Sequence, residues 1–139
     1  MSTSHFHPMM VHFPIAIVTI GFIADLASLF FKKETWLQKS ALWLLIFGTL
    51  AALAAVITGA LFTSEMSGSA GEVRETHEMF AFITLGALVV TSVFKIIVHN
   101  KPTVTLKWVA FLLYAIATLS VSITGFFGGT LVYNYMMPL

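Results

Sequence analysis

The stretch MMVHFPIAIVTIGFIADLASLFFKK, residues 9–33, decides how this chain folds. Residues 9–31 carry one acid, Asp25, and no Lys or Arg, and Lys32 and Lys33 then close the run. That is the length of roughly 20 residues a helix needs to cross the hydrocarbon core of a bilayer. Three more runs of the same kind follow at residues 41–63, 79–98 and 106–127. None alternates polar and apolar residues as a barrel strand would, and an open sheet leaves its backbone unsatisfied in lipid. The expected fold is all-α: a four-transmembrane-helix bundle forming a single integral membrane domain over residues 1–139, with no room for a separate soluble module.

Composition supports this from a different direction. Of 139 residues 58% are hydrophobic and 9% charged, where a soluble domain carries roughly 25% charged residues. The lipid bilayer is the expected surroundings, and self-association into a homo-oligomer is compatible with it. A net charge of +1 is too small for nucleic-acid binding. With no cysteine, disulfides, thiolate metal sites, iron–sulfur ligation and covalent c-type haem attachment are excluded, so any metal or haem must rest on histidine. The first eight residues hold no Lys or Arg, so a cleaved signal peptide is not expected and the first helix is retained.

Charge placement orients the bundle. Lys32, Lys33 and Lys39 flank the first loop and Lys95, Lys101 and Lys107 the third, whereas the second loop sets Arg74 against Glu65, Glu72 and Glu75, and the tails have no Lys or Arg. The positive-inside rule therefore predicts a multi-pass protein with both termini periplasmic or extracellular. His5, His7, His12 and His77 fall on that outer side and His99 on the cytoplasmic one.

The starts of the first and third runs align as His12, Ala16, Thr19 and Gly21 over His77, Ala81, Thr84 and Gly86. The second and fourth align Trp43 with Trp108 and Ile57-Thr58-Gly59 with Ile123-Thr124-Gly125. The chain thus reads as two duplicated helical hairpins about a pseudo-two-fold axis, with His12 and His77 at similar depth across it. Ala16 and Ala81 lie one turn below the histidines and Thr19 and Thr84 two turns below, leaving space for a flat group and a hydroxyl beside it. Gly59 and Gly125, with Gly128 and Gly129, permit close approach in the same half.

This pattern predicts a b-type haem with His12 and His77 as axial ligands, since non-covalent haem needs only imidazole above and below the iron. Arg74, one turn before His77, is the candidate propionate partner, and His7 and His5 are candidates for a second site. The competing reading is a copper or zinc site of His5, His7 and His12 with Met9 and Met10. His7 and His12 stand about 140° apart on a regular helix, so that site requires a bend, which Pro14 would allow because it lacks the N–H that bonds Met10. A third reading makes the histidines plain interfacial residues of a structural or assembly subunit. Asp25, alone among the acids in being deep in an apolar run, is expected to pair with Lys95.

The opening His7-Pro-Met-Met-Val-His12-Phe-Pro-Ile-Ala, Asp25-Leu, His77 at the third run and the closing Gly125-Phe-Phe-Gly128-Gly129-Thr-Leu-Val-Tyr133 resemble the bacterial membrane family called domain of unknown function 2231. The resemblance spans nearly the whole chain. It implies a small four-helix bacterial membrane protein in an electron-transfer setting; the charge topology adds the bacterial inner (cytoplasmic) membrane as the expected location, and the haem reading adds a redox protein or a quinone as the expected partner. The functional expectation is a haem b-binding, cytochrome-like electron carrier rather than an enzyme, because no nucleophile elbow, P-loop or zinc-hydrolase motif is present.

Overall fold

A computed structural model describes residues 6–135; His5 lies outside the described residues. The helices are α1 (Phe6–Met10), α2 (His12–Phe30), α3 (Thr35–Phe62), α4 (Gly68–Asn100) and α5 (Val104–Thr130), and α5 runs on into a π-helical turn, Leu131–Tyr135. With α1 and α2 taken together, four helical segments are long and apolar enough to span a membrane: Phe6–Phe30, Thr35–Phe62, Gly68–Asn100 and Val104–Tyr135. Among the described residues there is no strand. The chain is a four-helix, all-α, multi-pass membrane protein.

Local chemistry sets the breaks. Val11 interrupts the first span between α1 and α2, three residues before Pro14, which cannot donate to the Met10 carbonyl. Gly68 opens α4 at φ +65, a left-handed conformation that glycine adopts without strain. Pro102 stops α4 by disfavouring helical backbone at Lys101, and the Thr103 hydroxyl then caps α5 by accepting from the Leu106 N–H at 3.3 Å.

The helices form a ring in which α2 packs densely on α3 and α4 on α5, while α3 meets α4 and α2 meets α5 more sparsely. Large apolar side chains such as Trp43, Leu50, Leu112, Leu119 and Phe126 point outward and are exposed, which in water would be a large apolar patch and in a bilayer is the lipid face. The interior is narrow: Val18, Leu45, Leu88 and Tyr114 are fully buried. Small residues let the backbones close around them. A Cβ on Gly48 would come within 2.5 Å of Val18 Cγ2, and one on Gly21 would collide with the Tyr114 hydroxyl.

The buried stripe of α2 is Pro14, Val18, Gly21, Asp25 and Ser28. On α4 Thr84, Leu88 and Thr91 are buried, and each stands 70 residues after Pro14, Val18 and Gly21. The Lys95 Nζ reaches Asp25 Oδ1 at 2.5 Å with the same separation of 70. On the other diagonal, Ala110, Tyr114, Ala117 and Val121 of α5 stand 69 residues after Ala41, Leu45, Gly48 and Ala52 of α3. The packed faces therefore repeat at 70 and 69 residues, whereas the matched letters of the sequence repeat at 65 and 66. Gly86 illustrates the difference: it is exposed with nothing near it, while Gly21, its partner by letter, is buried against Tyr114.

Candidate functional site

Running the inward stripe of α2 back by seven residues from Pro14 reaches His7, and running that of α4 back by seven from Thr84 reaches His77. The two half-buried imidazoles meet across the bundle axis with ring centroids 6.2 Å apart and planes at 73°. Each lies against a glycine on the neighbouring helix. A Cβ on Gly59 would be 3.1 Å from His7 Cε1, and one on Gly128 would be 3.0 Å from His77 Cε1. Gly59 and Gly128 are again 69 residues apart, so both halves of the bundle seat a ring in the same way. A Cβ at either position would require the facing ring to shift by a few tenths of an ångström.

Hydrogen-bond accounting assigns the proton on each ring. His77 Nδ1 lies 3.0 Å from the Thr124 carbonyl, which only accepts, so Nδ1 carries the hydrogen. His7 Nδ1 lies 3.2 Å from Thr58 Oγ1. The single hydrogen of Thr58 goes to the Ala55 carbonyl at 3.0 Å, so here too Nδ1–H donates. Both rings are left with an Nε2 lone pair that meets no partner among the described residues. Metal-bound histidines have this arrangement: one nitrogen fixed through its N–H to an outer acceptor, the other free to ligate.

Below His77 the α4–α5 contact is a closed circuit of hydroxyls. Thr84 Oγ1 is 2.6 Å from Ser120 Oγ and 2.8 Å from Thr124 Oγ1, and Thr124 donates to the Ser120 carbonyl. With that last hydrogen spent, Ser120 must donate to Thr84 and Thr84 to Thr124. The segment of α5 whose carbonyl holds His77 is thereby itself held.

The other expected site residues are distributed differently. His12 is exposed and off the stripe, its Nδ1 bonded to the Pro8 carbonyl at 2.7 Å within the break between α1 and α2. It is His7 that comes to His77, and the bend at Val11 does not bring His7 and His12 onto one face. Ala16 is exposed and Ala81 half-buried. Thr19 bonds back to the Ile15 carbonyl at 2.6 Å, whereas Thr84 is buried in the hydroxyl circuit. Gly125 receives the Ile15 side chain, 2.9 Å from where its Cβ would be, and so serves packing rather than the rings. Arg74 lies inside α4 one turn before His77, with its guanidinium 3.6 Å from Glu65 and 3.8 Å from Glu78. Gly128 and Thr58 were not singled out as site residues from the sequence, although Gly128 belongs to the glycine cluster noted there.

At the opposite end of the same two spans is the contact of Asp25 with Lys95. The expected pair forms, and the Lys95 ammonium also stands 5.8 Å from the centre of the Tyr114 ring.

The family described as Predicted membrane protein (DUF2231) matches residues 3–138. No curated protein and no solved structure matches.

Proposed function

The chain belongs to this DUF2231 family of predicted membrane proteins, and from that premise we propose that it is a haem b-binding, cytochrome-like electron carrier in which His7 and His77 would hold the group. The observation that carries the reading is the pair of imidazoles at 6.2 Å, each with Nδ1–H engaged and Nε2 free. A metal–nitrogen distance of about 2.0–2.1 Å puts two imidazole centroids on one ion roughly 6 Å apart. Haem suits a two-histidine site because the macrocycle supplies four equatorial nitrogens of its own, while zinc would need two more ligands from the protein. When bound, the iron would exchange one electron between oxidised and reduced states. Arg74 is placed one turn from His77 to exchange its loose contacts with Glu65 and Glu78 for a propionate.

The same reading sets the histidine end at the periplasmic or extracellular side of a bacterial inner membrane. What supports it is that Lys32, Lys33, Lys39, Lys101 and Lys107 are exposed around the opposite end. The partner would be a redox protein or a quinone that reaches the histidine end.

Spectra test the proposal. Protein purified in detergent from haem-replete cells should show a sharp Soret band and resolved α and β bands on reduction. His7→Ala and His77→Ala should each abolish the low-spin spectrum, and His12→Ala and His99→Ala should leave it intact. A colourless wild type, or a low-spin spectrum that survives His7→Ala, overturns the assignment.

A further inference from the structure

The first three turns of α3 carry a groove on their outer side. Trp36, Lys39, Ser40, Trp43, Leu44 and Phe47 line it, and it encloses about 390 Å³, within the roughly 300–1,000 Å³ of sites that hold small molecules. At 3.6 residues per turn the six stand on one side of the helix. Trp36, Trp43 and Phe47 are exposed, as is Lys39, while Ser40 and Leu44 are half-buried and form the floor. Leu44 is seated against α2, its Cβ 3.0 Å from where a Cβ on Gly21 would stand. The Trp43 and Phe47 rings are 6.1 Å apart with planes at 31° and make the deep end apolar. The Trp36 indole N–H donates to Glu34 Oε2 at 2.8 Å, which ties the outer ring to the loop.

The repeat of packed faces supplies a comparison within the molecule. Sixty-nine residues on, at the start of α5, Trp108 and Val109 stand where α3 has Lys39 and Ser40, and Leu112 stands where it has Trp43. A lipid-facing surface at this depth therefore needs neither an ammonium nor a hydroxyl, yet α3 sets both between two indoles. Charge points the same way. Lys32 and Lys33 lead into the helix with Glu34 as the acid among them, so with Lys39 this corner carries a net charge of +2.

The order of groups along the groove matches that of a phospholipid. Lys39 and Ser40 are neighbours near the basic end and can donate together to phosphate oxygens. Phe47 lies seven residues beyond Ser40, about 10 Å deeper along the helix, where acyl chains run. A free phosphate would use the outer half and leave Trp43, Leu44 and Phe47 without a role.

We propose that this groove binds one anionic phospholipid, its phosphate held by the Lys39 ammonium and the Ser40 hydroxyl and an acyl chain lying along Trp43, Leu44 and Phe47. Basic pockets beside membrane helices select anionic head groups in this way. Phosphatidylglycerol is preferred to phosphatidylcholine, whose choline cancels the phosphate charge and is repelled by Lys32 and Lys33. The site uses neither His7 nor His77 and stands apart from the haem reading.

Full-length protein in detergent is titrated with phosphatidylglycerol or phosphatidylcholine of the same acyl chains, and bound lipid is counted by native mass spectrometry. Wild type should bind its first phosphatidylglycerol about 5-fold more tightly than its first phosphatidylcholine, the contribution of roughly one cation near an anionic surface. Lys39→Gln should remove that preference. Lys107→Gln deletes the same charge at the corner of α5 and should keep it; both lysines are exposed, so neither change disturbs a packed contact. Inorganic phosphate, matched in ionic strength to a chloride control, should not displace the lipid. Equal binding of the two lipids by wild type overturns the proposal. Equal loss of preference in Lys39→Gln and Lys107→Gln also overturns it, since the attraction would then be diffuse. Displacement by inorganic phosphate does so too, because the site would read the anion and not the lipid.

Discussion

Eighteen residues separate His7 from Asp25 on the first span and His77 from Lys95 on the third, about 27 Å along either helix. The same two spans, at the same register, thus carry two cross-axis contacts of opposite character. At the histidine end the groups are neutral, every N–H and O–H described has an acceptor, and what remains over is two ring nitrogens that can bind something. At the basic end the groups are charged, and one contact carries the pair. A neutral ring near a helix end needs only an acceptor to be held in place. A charge within an apolar bundle must be paired, and its loss should be felt throughout the fold.

The largest effect should come from breaking the charged end on one side only. Lys95→Met strands the carboxylate and should cost about 3 kcal/mol at pH 8, at the lower edge of what breaking a buried pair costs. Asp25→Leu should cost less than Lys95→Met, since the stranded lysine can reach the interface. Asp25→Leu combined with Lys95→Met should return close to wild type. Reversible unfolding from mixed micelles measures all three, and additive single effects in the double variant would break the comparison, showing that the two side chains act independently.

The four spans were legible from run length and charge alone, because only a helix can carry so many uninterrupted apolar residues through a membrane. The Asp25–Lys95 pair was legible too, as the only way to place each charge beside the other at one depth. The histidine partner was not read correctly, since matching letters put His12 over His77 and carried Ala16, Thr19 and Gly21 along with it. Packing follows the seven-residue stripe instead, and the stripe ignores which letters coincide. The signal was nevertheless present: Asp25 paired with Lys95 sets the register of the two parallel helices, and counting eighteen residues back on each arrives at His7 and His77. The hydroxyl acceptors were harder to find, because whether a threonine bonds its own helix or a neighbour depends on the rotation of both helices about their axes. Thr124 does both kinds of work at once, its hydroxyl within α5 and its carbonyl to His77.

The two histidines differ in one respect that a middle-sized effect can expose. His77 is held by a backbone carbonyl, which no side-chain replacement removes, whereas His7 faces the Thr58 hydroxyl with the Ala55 carbonyl as a second acceptor. Thr58→Val keeps the shape and deletes the hydroxyl while the Ala55 carbonyl stays, so haem should be retained about 10-fold more weakly, the lower edge for a lost outer partner of a metal-bound histidine. Thr124→Val leaves the His77 acceptor in place and should change retention far less. Competition for haem by an apo-globin gives both values. Equal losses in the two variants would mean that the rings are positioned by Gly59 and Gly128 and not by their hydrogen bonds.

The smallest effect should come from the hydroxyl circuit. Thr84→Val removes one oxygen that serves Ser120 and Thr124 together, yet the cost should be only about 0.6 kcal/mol, the average for interhelical hydrogen bonds measured in membranes. The reason lies in what is left behind. Ser120 can turn its hydroxyl to a carbonyl one turn back on α5, as Thr118 and Thr124 already do, and Thr124 keeps its own bond to the Ser120 carbonyl. His77 keeps its acceptor, so the low-spin spectrum should not move. Unfolding in the same micelles as the Lys95 series puts the two ends on one scale. If Thr84→Val proved as costly as Lys95→Met, hydroxyls and charges would be doing equivalent work in this bundle, and the contrast between its ends would reduce to the two ring nitrogens.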